Sequence, residues 1–233
     1  MKTPKPRFQP AALAVAVFGA CFAPQAAAYE AGDWIVRGGF AVVTPDVSNS
    51  TLRFDNPMLR AALGSEKVDI NDNAQPSLTV TYMYNRYLGV ELLAATPFKH
   101  SIRGKGALSA ALGSIPLPNN IATVTHLPPT LSVVYYPLQG FSFQPYVGAG
   151  VNYTFFFSED SNIGGKVDVD SSVGVALQGG FDYRLSDRWH VNASVRWIDI
   201  ETDATFTGTD LGGLKTTVDI DPIVYSVMLG YTF

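Results

Sequence analysis

Residues 223–233 read IVYSVMLGYTF. In an extended chain successive side chains point to opposite faces. Ile223, Tyr225, Val227, Leu229, Tyr231 and Phe233 therefore share one face, and Val224, Ser226, Met228, Gly230 and Thr232 share the other. The first face is uniformly large and apolar, whereas the second is small or mixed. Two architectures produce such strands: a soluble β-sandwich and a membrane barrel. A sandwich presents a polar, charged outer face to water. The second face here carries no charge at all, which suits a narrow barrel lumen better.

The same alternation recurs seven more times, within 33–43, 77–84, 88–95, 130–135, 146–153, 173–183 and 189–198. In each the second face is dominated by Gly, Ala, Ser, Thr and Asn. Connections alternate in length. Long stretches at 44–75, 98–125, 154–171 and 201–217 are separated by short turns near Asn85-Arg86-Tyr87, Leu138-Gln139-Gly140 and Ser186-Asp187-Arg188. An even number of strands with alternating short and long connections is the layout of an outer-membrane barrel. The expected fold is thus all-β: an eight-stranded antiparallel transmembrane β-barrel with long extracellular loops and short periplasmic turns. Closure also removes the free strand edges that lipid does not tolerate.

The first residues fit this destination. Lys2, Lys5 and Arg7 precede the apolar run AALAVAVFGACFA (11–23), and Ala26-Ala27-Ala28 offers a small-x-small cleavage site. This is the pattern of a secretory signal peptide, 1–28, leaving the barrel as 29–233. A lipoprotein signal acylated at Cys21 is the weaker rival. Removing 1–28 leaves 13 basic and 20 acidic residues, a net charge of −7, and no cysteine. That balance argues against nucleic acid as a partner, and a disulfide scaffold is excluded. Charged residues make up only 15% of the chain, against about a quarter in soluble domains.

Aromatic residues form two bands. Tyr84, Tyr135, Phe143, Tyr183, Trp189, Tyr231 and Phe233 lie beside the short turns, and Phe40, Phe98, Tyr153, Phe155, Trp197 and Tyr225 toward the long loops. Two bands of amphipathic rings match the girdles at the two membrane interfaces.

Five stretches carry a family resemblance: ATPFKH (95–100), THLPPTLSVVYYP (125–137), PYVGAGVNYTFFF (145–157), ALQGGFDYRLSDRWHVNASVRWIDIET (176–202) and VDIDPIVYSVMLGYTF (218–233). In this order they resemble the OmpW family of small outer-membrane β-barrel proteins, which includes AlkL-like proteins associated with alkane uptake. The resemblance implies an apolar lumen and passive uptake of small hydrophobic molecules, with sideways release through the barrel wall as a further implication. Loops 44–75 and 101–124 carry no motif of the family.

The inward face divides by height. Near the periplasmic turns it carries Arg37, Glu91 and Asp182, with Arg196 higher. Charges of both signs in a narrow lumen are expected to pair, giving a polar periplasmic plug. Toward the outer side the inward positions are Ala41, Val43, Leu93, Ala95, Ile198, Ile200, Ile220 and Val224. This half is apolar and is the expected channel lining, although eight strands leave little room beyond side chains. Pro97 stands at the outer end of a strand, where it has no N–H for the ladder. It marks either a strand ending or, as the family's ATPF motif implies, a lateral gate.

No constellation for catalysis, cofactor or metal binding emerges. His100, His126 and His190 are split between the two ends, too scattered for a metal site. Glu159, Asp160, Asp168 and Asp170 lack calcium-loop spacing, and His100-Ser101 are strand neighbours pointing opposite ways. The expected partners are outer-membrane lipids and lipopolysaccharide, small hydrophobic solutes, and the outer-membrane insertion machinery during biogenesis. An aromatic end after alternating apolar residues resembles the signal read by that machinery, here Tyr231 and Phe233. The expected protein is a monomer in the bacterial outer membrane. The alternative function is a closed barrel that binds an external partner through its loops.

Overall fold

The computed structural model describes residues 28–46, 51–54, 66–104, 120–209 and 212–233. The expected signal peptide lies outside the described residues except for Ala28. Among the described residues the chain is all-β, without helices. β1 (Trp34–Thr44), β2 (Thr51–Phe54), β3 (Glu66–Ile70), β4 (Asn73–Met83) and β5 (Leu88–Ala95) are followed by β6 (Phe98–Gly104), β7 (Asn120–Leu127) and β8 (Thr130–Tyr135). Then come β9 (Phe143–Ser161), β10 (Lys166–Val169), β11 (Ser172–Arg184), β12 (Trp189–Ile198), β13 (Glu201–Thr209), β14 (Gly212–Asp219) and β15 (Ile223–Thr232).

Eight of these form the wall, in the order β1-β4-β5-β8-β9-β11-β12-β15. β1 pairs antiparallel with both β4 and β15, from Val43↔Asn73 to Trp34↔Tyr82 and from Thr44↔Ile223 to Ile35↔Thr232, so the ring is closed. The IVYSVMLGYTF stretch is the stave that closes it. Its Ile223-to-Leu229 face is exposed on the outside, while Val224, Ser226 and Met228 are buried in the lumen. The short turns are held by local side-chain bonds. Asn85 Oδ1 accepts from the backbone N–H of Tyr87 at 2.8 Å and of Leu88 at 2.9 Å, as Asx-turns do.

Among the described residues the expected loops are not irregular. They continue upward as a second antiparallel layer, in the order β10-β13-β14-β2-β3-β6-β7-β9. β9 is long enough, at 19 residues, to belong to both layers. The outward face records the change of solvent. On β5 it carries Leu88, Val90, Leu92 and Ala94, and on β6 it carries Lys99 and Ser101. On β11 it carries Val173, Val175 and Leu177, and on β13 Glu201 and Asp203. An apolar belt below and a polar skirt above place the outer membrane boundary near residues 96–99, 158, 170 and 199.

One ring departs from the expected outer girdle. Phe98 is only 2% exposed and points inward. Leu93 and Ala95 face the lumen, as do Phe98, His100 and Ile102, so the alternation slips by one residue at Thr96-Pro97. An extra residue of this kind bends a strand and re-aims the side chains beyond it.

Candidate functional site

The lower lumen holds a charged network. Arg37 on β1 is 1% exposed. It grips Asp182 on β11 with two bonds, Nε to Oδ1 at 3.0 Å and Nη2 to Oδ2 at 2.7 Å. Its Nη1 donates to Thr81 Oγ1 at 3.0 Å and Glu91 Oε2 at 3.3 Å, and its Nη2 to the Tyr136 hydroxyl at 2.7 Å. Glu91 Oε1 accepts from Arg196 Nη2 at 2.9 Å and Gln178 Nε2 at 3.0 Å. Arg196 also donates to Gln178 Oε1. Asp182 accepts further from Asn192 Nδ2 at 2.9 Å and the Tyr29 hydroxyl at 2.8 Å. Two guanidinium groups and two carboxylates thus balance within one hydrogen-bonded cluster, the condition under which buried charge is tolerated.

The structure therefore brings Arg37, Glu91 and Asp182 together and draws Arg196 down to them. Tyr29 was not foreseen. It precedes the first strand, where no periodicity marks it, yet it is fully buried beneath the network. Its backbone N–H donates to Gln139 Oε1 at 3.1 Å, and the Arg184 guanidinium sits 4.6 Å from its ring centroid. Glycines across the ladder make room for the large lumen side chains. Gly148 pairs with Gln178, Gly180 with Tyr146, and Gly230 with His190. A Cβ at any of the three would collide with the opposing side chain.

Above the network the lumen is packed with apolar side chains. Ala41, Val43, Phe98, Ala176, Ile198, Ile200 and Val224 form one buried cluster, with Ala95 and Ile220 at its margin. Leu93 is buried on the same side of the wall. Of the eight expected lining residues, Val43, Ile200 and Ile220 border a cavity above the barrel, and Ala95 borders an open groove in the wall. The others fill the barrel at this height, because small and branched side chains from eight converging strands suffice to close it.

The open space lies higher, between the wall and the second layer. A cavity of about 40 Å³ is bounded by Val43, Ile200 and Ile220 and by Ile102, Val124, His126, Phe156 and Ala204, among others. Most of these belong to the upper strands and were not expected. The signal was present: in FKHSI (98–102) and VTH (124–126) alternate residues are apolar or aromatic. Their partners are polar because that face meets water, so the segments lack the apolar outer face that marks a lipid-facing strand.

Two histidines share the cavity. The rings of His100 and His126 stack with centroids 5.1 Å apart, and Phe98 stacks on His126 at 5.8 Å. These groups stand above the membrane boundary. Burial lowers the pKa of His100; that of His126 is lowered to about 3 by burial and by His100 beside it. His190 lies elsewhere, buried in the lower lumen 3.7 Å from Asp182. No group of three or more metal-ligating side chains occurs among the described residues.

Pro97 lies at a discontinuity in the wall. The ladder joining β5 to β8 stops at Leu93↔Thr130, and the ladder joining β6 to β7 starts at Phe98↔His126. Between them Thr96 and Pro97 face the stretch of Pro128 and Pro129. Three prolines contribute no N–H. The Asn152 amide donates to the carbonyls of Pro128 and Pro129 at 3.1 and 3.2 Å, and the Tyr153 N–H donates to that of Pro129 at 3.0 Å, on the side of β9. This seam is level with the outer membrane boundary and adjoins Phe98.

The OmpW family model matches residues 30–233. The chain belongs to the OmpW family. The OmpW relative from Vibrio cholerae is 40% identical over 228 residues, covering 94% of this chain and 97% of the relative. The crystal structure of the outer membrane protein OprG from Pseudomonas aeruginosa superposes with a TM-score of 0.77 at 38% identity, covering 88% of this chain and 98% of that one. The structure of the outer membrane protein AlkL in lipid bilayers superposes with a TM-score of 0.67 at 25% identity, covering 91% and 95%. A P. aeruginosa relative, the dibenzothiophene metabolism operon protein PahQ, is 29% identical over 168 residues, 71% of this chain and 74% of that one. The present OmpW-family member is accordingly a β-barrel of the bacterial outer membrane.

Proposed function

We propose that this barrel is a channel for passive uptake of small hydrophobic molecules. Solutes enter the apolar cavity from the extracellular side and leave sideways, through the seam at Pro97, into the membrane. The observation that carries the reading is the adjacency of three features: an apolar cavity, an unladdered seam beside it, and a lumen packed beneath both. A water-filled porin has a polar lumen, and this one is apolar above and cross-linked by ion pairs below. The name of PahQ ties that relative to the metabolism of an apolar polycycle. In this reading Arg37, Glu91 and Asp182 act as the periplasmic plug, and Phe98 is the door between cavity and seam. The cavity of about 40 Å³ has room for only a few waters, so Phe98 swings aside as a solute passes. Tyr231 and Phe233, edge to face with centroids 4.7 Å apart and Phe233 exposed, serve as the signal for insertion.

A charge in the cavity tests the channel. Val43→Asp or Val124→Asp places a carboxylate where an apolar solute must dehydrate it to pass. Accumulation of a radiolabelled aromatic hydrocarbon is followed in whole cells at equal abundance of folded barrel. Uptake is expected to fall to the level of cells lacking the protein. Undiminished uptake in both variants would overturn the channel.

A further inference from the structure

The chain before β1 does not trail away from the barrel. Residues 30–33 make a tight turn, in which the Glu30 N–H donates to Asp33 Oδ2 at 2.9 Å and the Gly32 N–H to the Met83 carbonyl at 2.8 Å. Gly32 takes a φ of 97°, in the left-handed region that favours glycine. The reversal sends Tyr29 back under the lumen, where its side chain is fully buried.

Tyr29 is held there as a ligand is held in a site. Its hydroxyl donates to Asp182 Oδ2 at 2.8 Å, and its backbone N–H to Gln139 Oε1 at 3.1 Å. Its ring meets Tyr136 edge to face with centroids 5.2 Å apart, and the Arg184 guanidinium lies over it. His190 adds an edge contact at 6.3 Å. A polar tip on a buried carboxylate and a ring between aromatic and cationic groups are the contacts that suit a phenol. None of the partners is near in sequence, since the two hydrogen bonds span 153 and 110 residues. Nor do they come from the strands beside β1. Tyr136 follows β8 and Asp182 lies on β11, and the ring runs β1-β4-β5-β8 one way and β1-β15-β12-β11 the other. Tyr29 therefore ties the start of β1 to the opposite wall.

We propose that residues 29–33 are a self-inserted stopper for the periplasmic mouth, with the Tyr29 phenol as the group that the floor of the lumen binds. The stopper shields Ile35, Met83 and Val134, which pack with Tyr29 in one buried cluster, and through Asp182 it closes the ion-pair network from below. Its pocket is assembled from residues of β11 and β12 and from the chain just after β8, so it seats only once those staves are in place. Sealing of this mouth is independent of how a solute crosses the upper cavity.

Thiol labelling tests the stopper. The single cysteine, Cys21, lies in the expected signal peptide, so a thiol introduced into the barrel, 29–233, is the only one there. Met83→Cys puts it in the cluster that contains Tyr29, and Ala41→Cys puts it in the apolar layer above the network. Each is combined with native Tyr29 and with Tyr29→Gly, and alkylation by iodoacetamide is timed on the full barrel in lipid nanodiscs. With Tyr29 in place both thiols should react only as fast as the barrel opens locally. In Tyr29→Gly the Met83→Cys thiol should react at least about tenfold faster, because it no longer waits for such an opening. The Ala41→Cys thiol should stay as slow as before. Tyr29→Phe, which keeps the ring and loses the bond to Asp182, should give a rate between the two at Met83→Cys. Unchanged labelling of Met83→Cys in Tyr29→Gly would mean that the mouth is sealed without Tyr29. Equal acceleration of both thiols would mean that Tyr29 only stabilises the barrel as a whole, and either result overturns the stopper.

Discussion

At the scale of single residues the barrel depends on a few groups with no substitute. Asp182 is the clearest. It is fully buried and accepts from Arg37, Asn192 and Tyr29. Removing it leaves the Arg37 guanidinium buried with only Glu91 to balance it, while Arg196 competes for the same carboxylate. Deleting one partner of a buried pair costs about 3–5 kcal/mol, more than the pair contributes when intact. Asp182→Ala is therefore expected to lower stability by about that amount, measured by urea unfolding of the protein in lipid vesicles. Replacing both partners, as in Arg37→Leu with Asp182→Leu, should cost less than Asp182→Ala alone, because no orphan charge remains. A double variant less stable than the single one would contradict this account of the network. The members of this cluster were legible in sequence because inward charges are rare in a narrow lumen. Tyr29 was not, since a residue outside any periodic segment reaches its site only through the three-dimensional path of the chain.

At the scale of elements the wall and the upper layer differ in how openly they declare themselves. A lipid-facing strand is apolar outside and small inside, so IVYSVMLGYTF and its seven counterparts could be assigned from alternation alone. Above the boundary the outer face meets water and the contrast inverts. Phe98, His100 and Ile102 alternate with Lys99, Ser101 and Arg103, and such a strand resembles an ordinary polar loop. Most of the cavity's lining escaped the sequence reading for the same reason, as it comes from those strands. The step between the two regimes is the slip at Thr96-Pro97, which also turned Phe98 from an expected girdle ring into an interior one. Pro97→Ala returns an N–H to the seam. One added ladder bond of about 1 kcal/mol would lower the open population of the seam roughly fivefold. Uptake of an apolar solute is expected to fall by about that factor at equal barrel abundance, with the cavity unchanged in its binding of para-xylene. Unaltered uptake would remove the seam from the route and leave the cavity without a lateral exit.

At the scale of the whole molecule, the order of layers decides where a solute can go. From the periplasmic side the lumen meets a buried cluster containing Tyr29, Ile35, Met83, Tyr136 and Tyr146, then the ion-pair network, then the packed apolar cluster around Ala41, Ile198 and Val224. Above these, among the described residues, lies the apolar cavity, and it adjoins the stretch where the β5–β8 and β6–β7 ladders fail to meet. A hydrated ion crossing the apolar layer would shed its water in a low-dielectric interior, at a Born cost on the order of tens of kcal/mol. On the proposed sideways route an apolar solute incurs no such cost, because the seam lies level with the lipid. The two routes therefore separate in one experiment. In planar lipid bilayers the wild type is expected to carry no steady ion current, and Arg37→Leu with Asp182→Leu should carry none either, because the apolar layer above the network remains. In cells the same double variant should take up an apolar solute at the wild-type rate, since the network lies below the exit. A steady current through the wild type would mean that the lumen is not sealed. Loss of uptake in a double variant that is folded and inserted would mean that the solute passes through the network, and either result would replace the sideways route with a straight one.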